Sequence, residues 1–170
     1  MSTFKQPLLL VSLVFAVPLT TQAQAPDLGT TISEATIAES FVLPDGRGLP
    51  EGRGDVANGE TLFNQHCLSC HGVAGQGGIN DALAGGQGSL TTAAPMKTIG
   101  SYWPYATTLF DYIRRAMPYA TPGILAPDEV YSITAYLLHV NGIITEDVNV
   151  DSSSLPKIRM PNRDGFESAL

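Results

Sequence analysis

The 170-residue chain carries 16 acidic and 9 basic side chains, a formal charge of −7. An acidic surface of this kind repels phosphates, which excludes non-specific nucleic-acid binding as a default and favours partners that present positive charge. Two cysteines are too few for a disulfide-stapled scaffold or a four-cysteine zinc site, and the length suits one compact domain with tails.

The N-terminus reads as a secretory signal over residues 1–25. Lys5 supplies the positive start, residues 8–17 are apolar, and small residues follow through Thr21, Ala23 and Ala25. Cleavage after Ala23 and after Ala25 both fit. The apolar run is shorter than the roughly 20 residues of a spanning helix, so removal is expected rather than anchoring. No later stretch is apolar enough to span a bilayer, and the mature chain should be exported and soluble. Its formal charge moves to −8, because Lys5 is lost with no acid.

Residues 26–54 are rich in Pro, Gly, Thr and Ser, with dense turn punctuation between Pro44 and Gly54. An irregular arm lying on the surface is expected. A first helix should start near Asp55 and reach about Cys67, with Val56, Gly59, Leu62, Phe63 and His66 or Cys67 on one face. Gly59 on that face costs about 1 kcal/mol against alanine, which is reasonable where another helix must cross closely. Eight glycines between Gly72 and Gly100 exclude a helix or central strand there and suit a loop wrapping the edge of a flat ligand. Thr107 or Thr108 can cap a helix running through Leu109, Phe110, Tyr112, Ile113 and Ala116, which Pro118 ends. A last helix begins near Pro127, with Asp128 and Glu129 at its positive end. Val130, Ile133, Tyr136, Leu137 and Val140 form its apolar stripe, and Asn141-Gly142 stops it. Residues 145–170 read as an extended tail. The fold class is all-α, with a compact domain over residues 55–144.

Both cysteines lie in the run Cys67-Leu68-Ser69-Cys70-His71. Two thiols three positions apart at the start of a turn can each add across one vinyl group of the same haem. The next histidine then lies under the iron as an axial ligand. A redox disulfide would want a βαβ context, and a zinc site a second ligand pair; the sequence offers neither. One covalently attached haem c is therefore the expected cofactor. The chain should carry electrons and is not expected to be an enzyme.

Three features resemble class I cytochromes c: Gly59-x-x-x-Phe63 leading into Cys67-x-x-Cys70-His71, the pair Met117-Pro118, and Ile133-x-x-Tyr136 on the last helix. The resemblance implies that the first and last helices cross at the glycine, with Gly59 and Phe63 meeting Ile133 and Tyr136. A narrower likeness lies in Leu83-Ala84-Gly85-Gly86-Gln87-Gly88, Gly100-Ser101-Tyr102-Trp103-Pro104-Tyr105-Ala106, Arg115-Ala116-Met117-Pro118, Asp128-Glu129-Val130-Tyr131 and the tail from Leu155 to Phe166. These segments resemble the cytochrome subunits that work beside molybdenum sulfite or sulfane dehydrogenases of bacterial sulfur oxidation. Asp81 departs from the pattern, since a proline often stands there to offer its carbonyl to the proximal histidine. The departure puts loop rigidity in question rather than ligation.

For the sixth iron position the mature chain offers Met96, Met117, Met160, His66 and His139. Met117 is preferred, at a helix-to-turn break from which it can reach across the haem; a thioether there raises the reduction potential relative to two histidines. Tyr102, Trp103 and Tyr105 either line the haem, one of them donating to a propionate, or fill the core. At most one of Arg114 and Arg115 is expected to meet a propionate or a partner, because adjacent helical residues diverge. The resemblance implies a periplasmic monohaem carrier that accepts electrons from a molybdenum dehydrogenase and passes them to a downstream cytochrome or oxidase. Two other functions compete: a diffusible donor to a terminal oxidase unrelated to sulfur, and a haem enzyme or gas sensor with an open sixth position.

Overall fold

The computed structural model describes Met1, Ser33 and residues 41–167. The expected signal segment and the first part of the N-terminal arm lie outside the described residues. Among those described, four helices and two two-residue strands carry the regular structure.

Helix α1, Val56–His66, starts where expected because Asp55 caps it, its carboxylate accepting the Asn58 N–H at 2.8 Å. Its buried residues are Val56, Gly59, Leu62 and Phe63, the face that the periodicity predicts. The short α2, Leu68–His71, follows directly after Cys67. Helix α4, Pro127–Val140, opens on proline, and the Glu129 carboxylate accepts the Ala126 N–H at 2.7 Å. Its burial runs unbroken from Val130 to Leu138, wider than the apolar stripe.

The α1–α4 crossing implied by the resemblance is present. A Cβ added at Gly59 would strike the Ser132 carbonyl and come within 2.8 Å of the Tyr136 Cβ. The rings of Phe63 and Tyr136 pack at 5.2 Å beside it. Glycine is needed there because only a bare backbone lets the two helices approach so closely.

Helix α3, Ala106–Ala116, corrects one expectation. Neither Thr107 nor Thr108 caps it; Tyr105 flanks its start and makes no side-chain cap. Tyr105 is instead held extended in an antiparallel bridge to Arg159, so the chain enters the helix straight from a pairing with the tail. Thr107 is buried, and its hydroxyl donates to the Pro44 carbonyl at 3.3 Å. Phe110 of α3 meets Tyr131 of α4 at 4.4 Å between ring centroids.

Among the described residues, 41–54 and the segment after residue 145 are tied into the core rather than lying loosely on the surface. Strand β1, Arg53–Gly54, pairs antiparallel with β2, Val150–Asp151. Val42 is buried against the core, and the Tyr131 hydroxyl donates to the Pro50 carbonyl at 2.9 Å. Burial, with Asp151 and Glu51 nearby, pushes that phenol up to about 12, so it stays a donor. From the tail, Val150, Leu155 and Met160 are all essentially inaccessible members of the core. Arms with buried anchors explain why α4 is covered on more sides than its stripe requires.

Candidate functional site

Cys67 ends α1 and opens α2, its N–H bonded to the Phe63 carbonyl at 2.8 Å. Half-buried, it packs against the core, while Cys70 and His71 occupy the single turn of α2. Both thiols are free. Burial, and secondarily the neighbouring Cys70, pushes the Cys67 thiol up to about 11. Among the described residues no cluster of three His, Cys, Asp or Glu could hold a metal ion.

The His71 Nδ1 lies 3.1 Å from the Asp81 carbonyl oxygen. A carbonyl only accepts, so this bond places the ring proton on Nδ1 and leaves the Nε2 lone pair for an iron. The departure at Asp81 therefore keeps the carbonyl where the histidine needs it. The glycine-rich loop is laced back onto the attachment turn. The Gly77 N–H donates to the His71 carbonyl at 2.8 Å and the Asn80 N–H to the Cys70 carbonyl at 3.0 Å. Gly72 has φ 71° and abuts the Gly77 carbonyl, where a side chain would be both strained and obstructed.

Met117 is the residue after α3, half-buried against the core with extended φ/ψ. Trp103 packs on the core and meets Tyr112 of α3 edge-on at 5.8 Å. Tyr102 is turned toward the tail: its ring meets Phe166 at 5.3 Å, and its carbonyl accepts from Asn162 Nδ2 at 2.8 Å. The Tyr105 ring lies under Arg163 at 4.1 Å. Met160 is core filling, Met96 is exposed, and His139 faces the Ile144 carbonyl at 3.3 Å. Arg115 is engaged by Asp111, through Nε at 3.0 Å and Nη2 at 2.6 Å.

Two residues with organising roles escaped the sequence reading. Asp111 is buried and also accepts the Val42 N–H; its signal was the four-residue spacing to Arg115. Asn141, read only as a helix stop, makes side-chain bonds to the loop after the attachment turn.

Residues 56–141 match the family model described as Cytochrome c. The chain belongs to the cytochrome c family. Members bind haem c covalently, so this cytochrome's cofactor is haem c with its iron, and it is an electron-transfer component rather than a catalyst. The cytochrome is 43% identical to a chain in the crystal structure of the sulfane dehydrogenase SoxCD from Paracoccus pantotrophus. That likeness covers 84% of this chain and 72% of the other, with a TM-score of 0.74. It is also 30% identical over 108 residues to a thiosulfate dehydrogenase of Psychrobacter arcticus, a match covering 54% of this chain and 31% of that relative. The cytochrome thus spans about a third of the length of that curated relative.

The residues of this chain fit the family's cofactor. Two free thiols stand one turn apart, an imidazole keeps Nε2 available, and the backbone beside them is bare glycine held in place by hydrogen bonds. Among the described residues, no helix is long and apolar enough to cross a membrane.

Proposed function

We propose that this cytochrome is a periplasmic monohaem carrier that accepts electrons singly from a molybdenum-containing sulfite or sulfane dehydrogenase and passes them to a downstream cytochrome or oxidase. The supporting observation is the 43% identity, over most of both chains, to a chain of a sulfane dehydrogenase structure. The thiosulfate dehydrogenase relative points to the same area of sulfur chemistry.

In this reading residues 1–25 are the export signal and residues 55–144 carry the haem. Cys67 and Cys70 hold the haem as thioethers, His71 ligates the iron through Nε2, and Met117 supplies the sixth ligand. When bound, the haem supplies a ferric–ferrous couple whose potential a methionine thioether raises. The protein's own part is to orient and to exclude water. The Asp81 carbonyl fixes the His71 ring and tautomer. Trp103, braced on Tyr112, is proposed to line the cofactor. Tyr102 is proposed to stand beside it as well, while its ring meets Phe166 and its carbonyl accepts from Asn162 in the tail.

The test is a low-salt pull-down of the tagged, haem-loaded protein from its native periplasm. The eluate is assayed for molybdenum and for sulfite-dependent haem reduction. Molybdenum together with reduction supports a subunit or close redox partner. Their absence, with the pathway expressed, removes sulfur from the reading and leaves a general carrier. Low salt matters because a chain of this negative charge meets its partner by steering that salt screens.

A further inference from the structure

The His71 imidazole is held by the carbonyl of an exposed residue, Asp81, in the segment Asn80-Asp81-Ala82-Leu83-Ala84-Gly85-Gly86. Two glycines, two small alanines and no proline make that segment intrinsically permissive. Left to itself it would sample many backbone conformations, and the carbonyl would not stay aimed at one ring nitrogen. Something else must stiffen it.

Asn80 is tied to the Cys70 carbonyl on one side of Asp81, and the side chain that fixes the other side comes from the end of α4. Asn141, at the C-terminus of α4, is 6% exposed. Its Nδ2 donates to the Leu83 carbonyl at 3.2 Å and to the Leu137 carbonyl of α4 at 2.8 Å. Its Oδ1 accepts the Gly85 N–H at 3.1 Å. Its own backbone carbonyl accepts from Gln87 Nε2 at 3.1 Å. One buried amide thus grips the loop on both sides of Ala84 and fastens it to the helix that crosses α1. The Leu83 carbonyl also accepts the Ile99 N–H at 3.1 Å, and Leu83 N–H donates to the Gly75 carbonyl at 2.7 Å. Leu83 is therefore immobilised at both its amide and its carbonyl, two residues from Asp81. Gly100 lies against the same amide: a Cβ there would strike Asn141 Oδ1 and come within 2.6 Å of Gln87 Nε2.

We infer that Asn141 is a positioning residue for His71, fixing the loop whose Asp81 carbonyl orients the imidazole and thereby setting the electron-donating strength of the ligand. This rests on the reading of His71 as the proximal ligand. An N–H donated to a well-placed carbonyl makes the opposite nitrogen a stronger donor, which favours ferric iron. Loosening the clamp lengthens or scatters that bond, so ferric iron loses stabilisation and the reduction potential rises.

The experiment compares the haem-loaded parent with Asn141→Ala, Asn141→Asp, Gly100→Ala and, as a control, Leu155→Ala, which removes a buried core side chain from the tail. Asn141→Asp keeps the acceptor for Gly85 and loses the donations to Leu83 and Leu137. It holds the test if Asn141→Ala does not accumulate. Gly100→Ala displaces the amide without changing it. The readouts are the reduction potential and the His71 ring resonances in the NMR spectrum. Asn141 and Gly100 variants are expected to shift the ferric–ferrous equilibrium constant roughly tenfold toward ferrous, the scale on which outer-sphere partners act. Their His71 resonances should move, while Leu155→Ala loses stability and leaves both readouts where they were. Unshifted Asn141 variants, or a Leu155→Ala shift of the same size, overturn the inference. His71→Ala separates it from the underlying reading: if that variant keeps the parent's low-spin spectrum, His71 is not the ligand and both fall. If it loses that spectrum while the Asn141 variants match the parent, only the role of Asn141 falls.

Discussion

The Asp111 carboxylate accepts the Val42 N–H at 3.1 Å, joining residues 69 apart in the chain. The same carboxylate takes a two-pronged grip from Arg115, whose guanidinium also lies 5.0 Å from the Phe41 ring. The N-terminal arm is thereby latched to α3, the helix that ends at Met117. Asp111→Ala leaves a buried N–H and an arginine without their acceptor. It should destabilise the holoprotein by about 2 kcal/mol, while Asp111→Asn, which can still accept from Val42, should lose less. Urea denaturation followed at the haem absorption band measures both.

Met117→Ala tests the sixth ligand. If the thioether is on the iron, its removal yields high-spin iron that binds carbon monoxide readily, and Met117→His lowers the reduction potential by replacing a thioether with an imidazole. A Met117→Ala protein whose optical spectrum and potential match the parent would return the choice to the other methionines and histidines.

Gly59→Ala places a methyl group where the Ser132 carbonyl already stands. Backbone on one side and the Tyr136 stem on the other leave no flexible group to give way, so the helices must separate. A loss of about 2–3 kcal/mol is expected, at the upper end of overpacking costs. Thermal unfolding of the haem-loaded protein checks it, and a neutral effect would mean the crossing is looser than described.

Acid should act on the β1–β2 corner. Hydrogen bonds from the Ser153 hydroxyl, then from the Ser154 and Ser153 N–H groups, hold Asp151 down to about 2 from its ordinary 3.8. A carboxyl lowered on folding contributes stability that is present above about pH 4 and disappears as pH falls through 2. Asp151→Asn should therefore be less stable than the parent at neutral pH, with the gap closing between pH 4 and 2. Parallel pH–stability curves across that window would contradict the role.

The tail belongs to the fold. Leu155 is fully buried in the core, so Leu155→Ala should cost about 2–4 kcal/mol. Truncation after Gly142 removes Val150, Leu155 and Met160 from the core together. It is expected to give a protein that unfolds or is proteolysed rather than a minimal haem domain. Limited proteolysis of both variants against the parent reads this directly. Cutting after Arg163 instead spares the buried anchors and should leave the holoprotein as stable as the parent.

Much of the helical framework was legible in advance because its signals are local. The buried face of α1 and the core of α4's apolar stripe follow from spacing, and the start of α1 near Asp55 and the opening proline of α4 from chemistry within one turn. The start of α3 was misplaced because Tyr105 is committed to Arg159, and no residue near Thr107 announces that pairing. The same reason hid the packing of both arms. Their turn-rich composition describes backbone without periodicity, which a buried irregular segment and a loose one share.

By itself the sequence determined the attachment run Cys67-x-x-Cys70-His71 and the all-α character, since each is written in residues a few positions apart, while the crossing at Gly59 came from the family resemblance. Tertiary structure alone decided which side chains would steady that framework. Asp111 finds Val42, and Asn141 finds Leu83 and Gly85, across 56 to 69 residues of chain. A hydrogen bond needs its partners within about 3 Å and aligned, and for residues so far apart in the chain only the folded path brings donor and acceptor together.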